Sequence, residues 1–368
     1  MSKFKESISE VRISENFLIT PTFVFFIIVS MQIGVGILGF QKYVAQSAGF
    51  DSWISILIAG GAIHILLWMV YHILEDGGGD IVAVHRNIFG KYFGGFLSIV
   101  SSFYFLLLSL TVLRTFIEVV QIWIFPRLQL SIFTLVFILL IYYMLTGGFR
   151  LITGLCLISV ILTIPLLAFK IFPIQEGFVT SLYPVINHSI PELLVSARQS
   201  VLSFLGFELL LVFYPFIKDP KASKKWAHFG VFYVILVYLA SLLVAFIYYS
   251  EEQLQQVTWA TISTWKIVEF PFFERFEYIG IALWVYAVIP NICLGLWAAS
   301  RIPKRLFKFK QKYTAWVFCG FLYIATLLLN DRQLIEQLNV TTEKIGLYVL
   351  LYIPILFILT KILKKVRN

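Results

Sequence analysis

The sequence predicts an all-α integral membrane protein, a single bundle of about ten transmembrane helices with the first and sixth interrupted. Three observations predict it. Hydrophobic residues make up 60% of the chain and charged residues 13%, with mean hydropathy +0.88, whereas a soluble domain is about half apolar and a quarter charged. Ten apolar segments have about the length a bilayer demands. Basic residues collect between alternate segments, the pattern that orients membrane helices.

A hydrocarbon core about 30 Å thick needs about 20 apolar residues in helical form. Such segments run 20–40, 52–74, 93–125, 131–146, 151–172, 195–216, 226–249, 277–300, 313–330 and 343–363. The fourth is short, and the third, at about 1.5 Å per residue, is long enough that it must tilt or project. Residues 1–19 are polar, carry both signs of charge and lack a signal peptide's apolar stretch and cleavage site, so they read as a cytoplasmic tail. With that tail inside, so are Lys3, Lys5, Arg12, Arg86, Lys91, Arg150, Lys218, Lys221, Lys224 and Lys225. The loop carrying Arg301, Lys304, Arg305, Lys308, Lys310 and Lys312 falls on the same side, with the tail of Lys361, Lys364, Lys365 and Arg367. Only Lys42, Arg127, Lys266, Arg275, Arg332 and Lys344 fall outside. Both termini are therefore expected in the cytoplasm, and the net charge of +9 serves topology at the lipid bilayer rather than nucleic acid. The longest outer loops lie near 173–194 and 250–276, and the second is expected to hold short interfacial helices. The transmembrane bundle spans 20–364, with 365–368 as the cytoplasmic C-terminus.

In hydrocarbon every backbone N–H and C=O needs a partner, so a broken helix is tolerated only beside protein or a water-lined cavity. The first segment carries Gly34-Val35-Gly36-Ile37-Leu38-Gly39. Its GxGxxG spacing is not a dinucleotide fingerprint, because no βαβ unit surrounds it. Two readings remain, close packing through small residues or local unwinding. The sixth segment carries Ser203-Phe204-Leu205-Gly206-Phe207-Glu208, a glycine two residues ahead of a carboxylate. An ionised carboxylate at mid-membrane costs about 2.5–3.5 kcal/mol, so Glu208 is either functional or a neutral group bonded to a neighbouring helix. The first and sixth segments run in opposite directions. Interruptions at corresponding places in them point to a 5+5 inverted repeat, roughly 20–172 and 195–363, with a site at the midplane. That pairing favours unwinding.

Arg114 and Glu118 lie four residues apart on one face of the third segment. They either neutralise each other, or Arg114 pairs with a carboxylate elsewhere such as Glu208. Tyr104 and Leu108 on the same helix are placed to line a cavity. Pro290, before Asn291, breaks the eighth apolar run and reads as a kink or a gating point, and Pro165 reads similarly. Lys170 and Arg198 are expected to snorkel, and His64 and His72 to be packed and hydrogen-bonded. Cys156, Cys293 and Cys319 sit in apolar runs without a CxxC or His/Cys cluster, so no disulfide, metal or cofactor is expected. The Gly77-Gly78-Gly79-Asp80 run lacks the Lys-Ser/Thr of a phosphate loop. No catalytic constellation appears, and an enzyme is not expected.

These residues resemble the B subunit of spore germinant receptors, within the amino acid/polyamine/organocation transporter superfamily. The stretches that carry the resemblance are Gly34-Val35-Gly36-Ile37-Leu38, Ala48-Gly49-Phe50-Asp51-Ser52-Trp53-Ile54-Ser55, and Phe204-Leu205-Gly206-Phe207-Glu208 followed by Tyr214-Pro215. The resemblance implies a LeuT-like fold in the spore inner membrane and nutrient sensing beside an A subunit and a C lipoprotein subunit. Ordinary permeases of the superfamily usually carry a small hydroxyl residue between the glycines, where this chain has Val35. The expected ligand is a small free amino acid. Unwound N–H groups near Gly34, Val35, Gly36 and Ile37 would hold its carboxylate, and freed carbonyls its ammonium group. Tyr104, Leu108, Phe204, Leu205, Gly206 and Phe207 would form the rest of the site, and Glu208, Arg114, Glu118 and Pro290 would couple or gate it. A proton-coupled amino acid transporter is the alternative, and a scaffold or channel subunit with no ligand of its own a third reading.

Overall fold

The computed structural model describes residues 13–269, 271 and 274–367, so Lys3, Lys5 and Arg12 of the expected tail lie outside the described residues. In chain order the helices are α1 (Phe23–Gln32), α2 (Phe40–Ala48), α3 (Ser52–Gly77), α4 (Ile81–Phe89), α5 (Lys91–Trp123), α6 (Leu130–Thr146), α7 (Gly148–Ala168) and α8 (Ile171–Glu176). They continue with α9 (Ile190–Gln199), α10 (Val201–Phe204), α11 (Leu210–Phe213), α12 (Pro220–Tyr248), α13 (Glu251–Gln256), α14 (Ala260–Trp265), α15 (Phe276–Phe307), α16 (Gln311–Leu328) and α17 (Arg332–Arg367).

Polar residues start four of these helices. Asp80 Oδ1 accepts from Ala83 N at 2.8 Å to cap α4, and Asp219 accepts from Ala222 N at 3.1 Å to cap α12. Ser189 and Glu192 form a capping box on α9, and Ser250 and Gln253 form one on α13. Gly78, left-handed at φ 106°, ends α3 in the expected glycine turn.

Six helices are long and apolar enough to cross a membrane among the described residues: Phe40–Gly77, Lys91–Trp123, Gly148–Glu176, Pro220–Tyr248, Phe276–Phe307 and Arg332–Val366. The pair Ile190–Gln199 and Val201–Phe216, bent by 55°, makes a seventh if taken as one span. Shorter apolar helices α1 and α6, and α16 with 18 residues, occupy the first, fourth and ninth expected positions. The last helix starts at Arg332, eleven residues ahead of the expected 343. The chain is an all-helical integral membrane bundle.

Both expected breaks are present. The first span stops at Gln32, passes through an irregular stretch and a 3₁₀ turn at Gly36–Leu38, and resumes at Phe40. The sixth stops at Phe204, turns through an extended Leu205 and a left-handed Gly206 (φ 115°), and resumes as a 3₁₀ turn at Phe207–Leu209. The segments flanking the broken spans meet at the end of the bundle that carries the basic clusters. There Ile19 N donates to Phe216 O at 2.8 Å and Lys218 N to Ile19 O at 2.9 Å. By contrast α15 runs unbroken through Pro290 and through Pro303, so Pro290 does not interrupt the eighth span. Proline withholds one backbone donor, and the packing of α15 against α5 and α7 holds the helix together.

Candidate ligand-binding site

The two breaks face one another across a cavity of about 130 Å³, closed laterally by α5, α12, α15 and α17. For scale, an apolar cavity of about 150 Å³ accommodates a benzene ring. The first break contributes Met31, Gln32, Gly34, Val35 and Gly36, and the sixth contributes Leu202, Ser203 and Leu205. Leu108, Thr111 and Val112 of α5, Tyr238 of α12 and Asn291 of α15 line it as well.

The hydrogen bonds at the first break divide sharply between acceptors and donors. Its carbonyls are met by neutral side chains from the second half of the chain. Asn291 Nδ2 donates to Ser30 O at 3.2 Å and to Met31 O at 3.0 Å. Tyr238 donates to Gln32 O at 2.9 Å, Trp284 Nε1 to Gly34 O at 3.2 Å and Thr261 to Ile37 O at 2.7 Å. Across the cavity Gln32 Nε2 donates to Phe204 O at 2.6 Å, joining the two breaks. The N–H groups of Gly34, Val35, Gly36 and Ile37 have no acceptor among the described residues. Gln32 Oε1 and Trp259 Nε1 line the same cavity, buried and without a partner. Buried polar groups are nearly always satisfied, so a cluster of donors without acceptors, with an amide oxygen beside it, marks a place for a polar ligand.

The cavity is covered at the end away from the basic clusters. Tyr43 of α2 donates to Glu336 Oε2 of α17 at 3.0 Å, and Arg332 Nη2 donates to the same oxygen at 3.4 Å. Arg332 Nη1 donates to Glu118 Oε1 at 2.7 Å, and its guanidinium lies 5.7 Å from the Trp259 ring. A wider vestibule lined by Lys42, Gln46, Gln337 and Lys344 lies beyond.

Several sequence expectations are relocated. Gly34, Val35, Gly36, Leu108 and Leu205 line the cavity, whereas Ile37, Phe204, Gly206, Phe207 and Tyr104 do not. Phe204 and Phe207 are buried in packing, with Phe204 against Tyr238 at 5.5 Å between ring centroids. Tyr104 instead donates to Glu208 Oε1 at 2.5 Å, and Gly206 N donates to both Glu208 oxygens at 3.0 and 2.8 Å. Glu208 is wholly buried and ties α5 to the sixth break.

Arg114 pairs with neither Glu118 nor Glu208. Its Nε donates to Leu329 O at 2.5 Å, at the C-terminal end of α16, and its Nη1 to Gln121 at 3.5 Å. A helix C-terminus leaves bare carbonyls at the negative end of its dipole, and Arg114 supplies the cation there. Glu118 is thereby left to Arg332. At the first break the carbonyls of Ser30, Met31, Gln32, Gly34 and Ile37 are already engaged by side chains, and Gln32 Oε1 is a buried acceptor at the cavity without a partner among the described residues.

Gln32, Tyr238, Trp259, Asn291, Arg332 and Glu336 were not singled out for the site from sequence. Gln32 and Asn291 carried the one available signal, an amide side chain within two residues of a helix-breaking Gly or Pro inside an apolar run. Among the described residues no group of three or more His, Cys, Asp or Glu is placed to hold a metal ion.

The spore germination protein family profile matches residues 18–335. Spore germination protein GerQB of Bacillus cereus is 38% identical over 351 residues, covering 95% of this chain and 98% of that protein. Spore germination protein YndE of Bacillus subtilis strain 168 is 26% identical, covering 90% and 93%. Among solved structures, MhsT in complex with L-phenylalanine shares the fold at TM-score 0.63 and 13% identity, over 93% of this chain and 88% of that one. A Na+-coupled sialic acid symporter does so at TM-score 0.66 and 12% identity, over 89% and 76%. With a family match over most of its length, a close relative along nearly the whole of it and a LeuT-like architecture, the chain belongs to the spore germination protein family.

Proposed function

We propose that this protein is the ligand-sensing B subunit of a spore germinant receptor, binding a small free amino acid between the broken first and sixth spans. The single observation that carries the reading is the set of N–H groups on Gly34, Val35 and Gly36 at the cavity, which have no acceptor among the described residues, beside the amide oxygen Gln32 Oε1, likewise without a partner there. Donors clustered at the positive end of α2 suit a carboxylate, and an amide oxygen suits an ammonium group. Leu108, Val112, Leu202 and Leu205 leave an apolar space for a short side chain. Both termini lie in the cytoplasm in this reading, the membrane is the spore inner membrane, and an A subunit and a C lipoprotein subunit receive the signal. No chemical step is assigned.

Equilibrium binding of a panel of labelled amino acids to the purified protein in lipid nanodiscs tests it. Saturable binding of small amino acids, abolished by Gly36→Leu, is expected. Absence of binding for the whole panel overturns it. The buried Glu208–Tyr104 pair favours a second reading, proton-coupled transport. Accumulation of label in proteoliposomes under a pH gradient would establish transport, whereas a sensor binds without accumulating.

A further inference from the structure

The carbonyls at the end of α1 pose a problem of charge as well as of hydrogen bonding. A helix that ends inside the bilayer leaves bare carbonyl oxygens at the negative end of its dipole. A bound cation is one way to answer them, and a neutral donor is another. Here Asn291 reaches across from α15 and places both hydrogens of a single amide nitrogen on consecutive carbonyls, Ser30 O and Met31 O. Tyr238 takes the next carbonyl, Gln32 O. Gly34 is shaped by the same contact, since a Cβ there would stand 2.5 Å from Asn291 Nδ2. That glycine has no left-handed backbone to explain it, so the space for the amide is its reason. Asn291 itself is 2% exposed, within the most buried of the six long spans.

We infer that Asn291 is the positioning residue of the first break and stands where a coupling cation would otherwise be needed, so that ligand binding at this site is independent of sodium or any other metal cation. The inference deepens the amino acid-binding reading by naming what holds the site open. It rests on that reading only where affinity is measured. Replacing the amide by a carboxylate of the same shape reverses the local chemistry. In Asn291→Asp an acceptor oxygen takes the place of the amide nitrogen against the carbonyls of Ser30 and Met31, with the buried Ser30 hydroxyl on the same turn. Such a cluster is stable only with a bound cation or a proton on the carboxyl.

The test measures thermal unfolding of the ligand-free protein, then amino acid affinity, in sodium chloride and in choline chloride at equal ionic strength. The wild-type protein is expected to give the same midpoint and the same affinity in both. Asn291→Asp is expected to unfold earlier in choline, to be restored by sodium or by acidification, and to show at least about fivefold weaker affinity in choline than in sodium. Asn291→Ala, which removes the donor without adding charge, should gain the same dependence in weaker form and serves if the aspartate variant does not accumulate. Sodium-dependent stability of the wild type overturns the inference. So does the absence of any cation effect in both variants. The unfolding comparison needs no ligand, so its result is separable from failure of the binding reading.

Discussion

Two glycines two residues apart illustrate how differently the same residue type can act. A Cβ on Gly34 would collide with Asn291, whereas one on Gly36 would stand 3.5 Å from the Tyr238 hydroxyl and 3.7 Å from Ser203 Oγ, ordinary contact distances. Gly34→Ala is therefore expected to displace the Asn291 amide, leave Ser30 O and Met31 O unpaired and cost about 1–3 kcal/mol for each carbonyl stranded. Gly36→Ala should leave the thermal unfolding midpoint unchanged and weaken binding of the larger amino acids first, because its methyl enters the cavity. Differential scanning fluorimetry and the binding panel separate the two, and equal destabilisation by both would refute this assignment. Glu208 makes a comparable case. Its oxygens accept from Tyr104 and from Gly206 N, so Glu208→Gln turns an NH₂ toward a backbone donor at one of these contacts. A loss of about 1–3 kcal/mol in stability is expected from the mismatched donor. Glu208 was legible in the sequence because a carboxylate in an apolar run is conspicuous. Its partner was not, since Tyr104 lies 104 positions away and nothing local distinguishes it from other aromatics.

At the scale of elements, the first and sixth breaks were legible because glycine and a buried charge are costly in a membrane helix and need a reason. Which side chains would answer the freed backbone was not legible. The donors arrive from α12, α14 and α15, more than 200 residues along the chain, and only the fold brings them in. The continuity of α15 through Pro290 was likewise a matter of packing rather than propensity. Leu205 lines the cavity from the sixth break with its methyl groups against Gly346 of α17, and in the proposed function it sets ligand size. Leu205→Ala should enlarge the cavity and shift preference toward longer side chains, by about 1–3 kcal/mol for each methylene admitted. A competition series from alanine to leucine reads this directly, and an unchanged rank order would remove Leu205 from the site. The corner between α2 and α3 holds a second rigid device. Asp51, 2% exposed, accepts from the backbone N–H groups of Ile186, Asn187 and His188 at 2.7, 2.8 and 3.1 Å, and from His188 Nδ1 at 2.9 Å. Ile186 sits at φ 65°, a conformation a β-branched residue rarely adopts unless its surroundings impose it. Asp51→Asn exchanges one acceptor oxygen for a donor and is expected to release this loop. Limited proteolysis between residues 177 and 189 should accelerate while amino acid affinity stays unchanged.

For the whole molecule, binding becomes a signal only if the ligand prefers one arrangement of the bundle over another. Carrying a two-state equilibrium from 1:99 to 99:1 takes about 5.5 kcal/mol of differential affinity. The cavity is placed to supply it, because hydrogen bonds tie its walls to one another. Gln32 joins the two breaks through Phe204 O, and Glu208 joins the sixth break to α5. The cover is a separate contact, made chiefly by Tyr43 of α2 on Glu336 of α17, with Arg332 bound to both Glu336 and Glu118. Exchange of ligand with the vestibule requires α2 to part from α17, while the hydrogen bonds of Asn291 keep α1 fixed to α15. A disulfide between cysteines replacing Tyr43 and Glu336 should therefore hold the cover shut. Formed before exposure to amino acid, it is expected to abolish binding. Formed afterwards, it should trap labelled ligand through repeated washing, with release on reduction. Free exchange through the oxidised protein would place the entry route elsewhere, and would leave the Tyr43–Glu336 contact a packing detail of the α2–α17 interface.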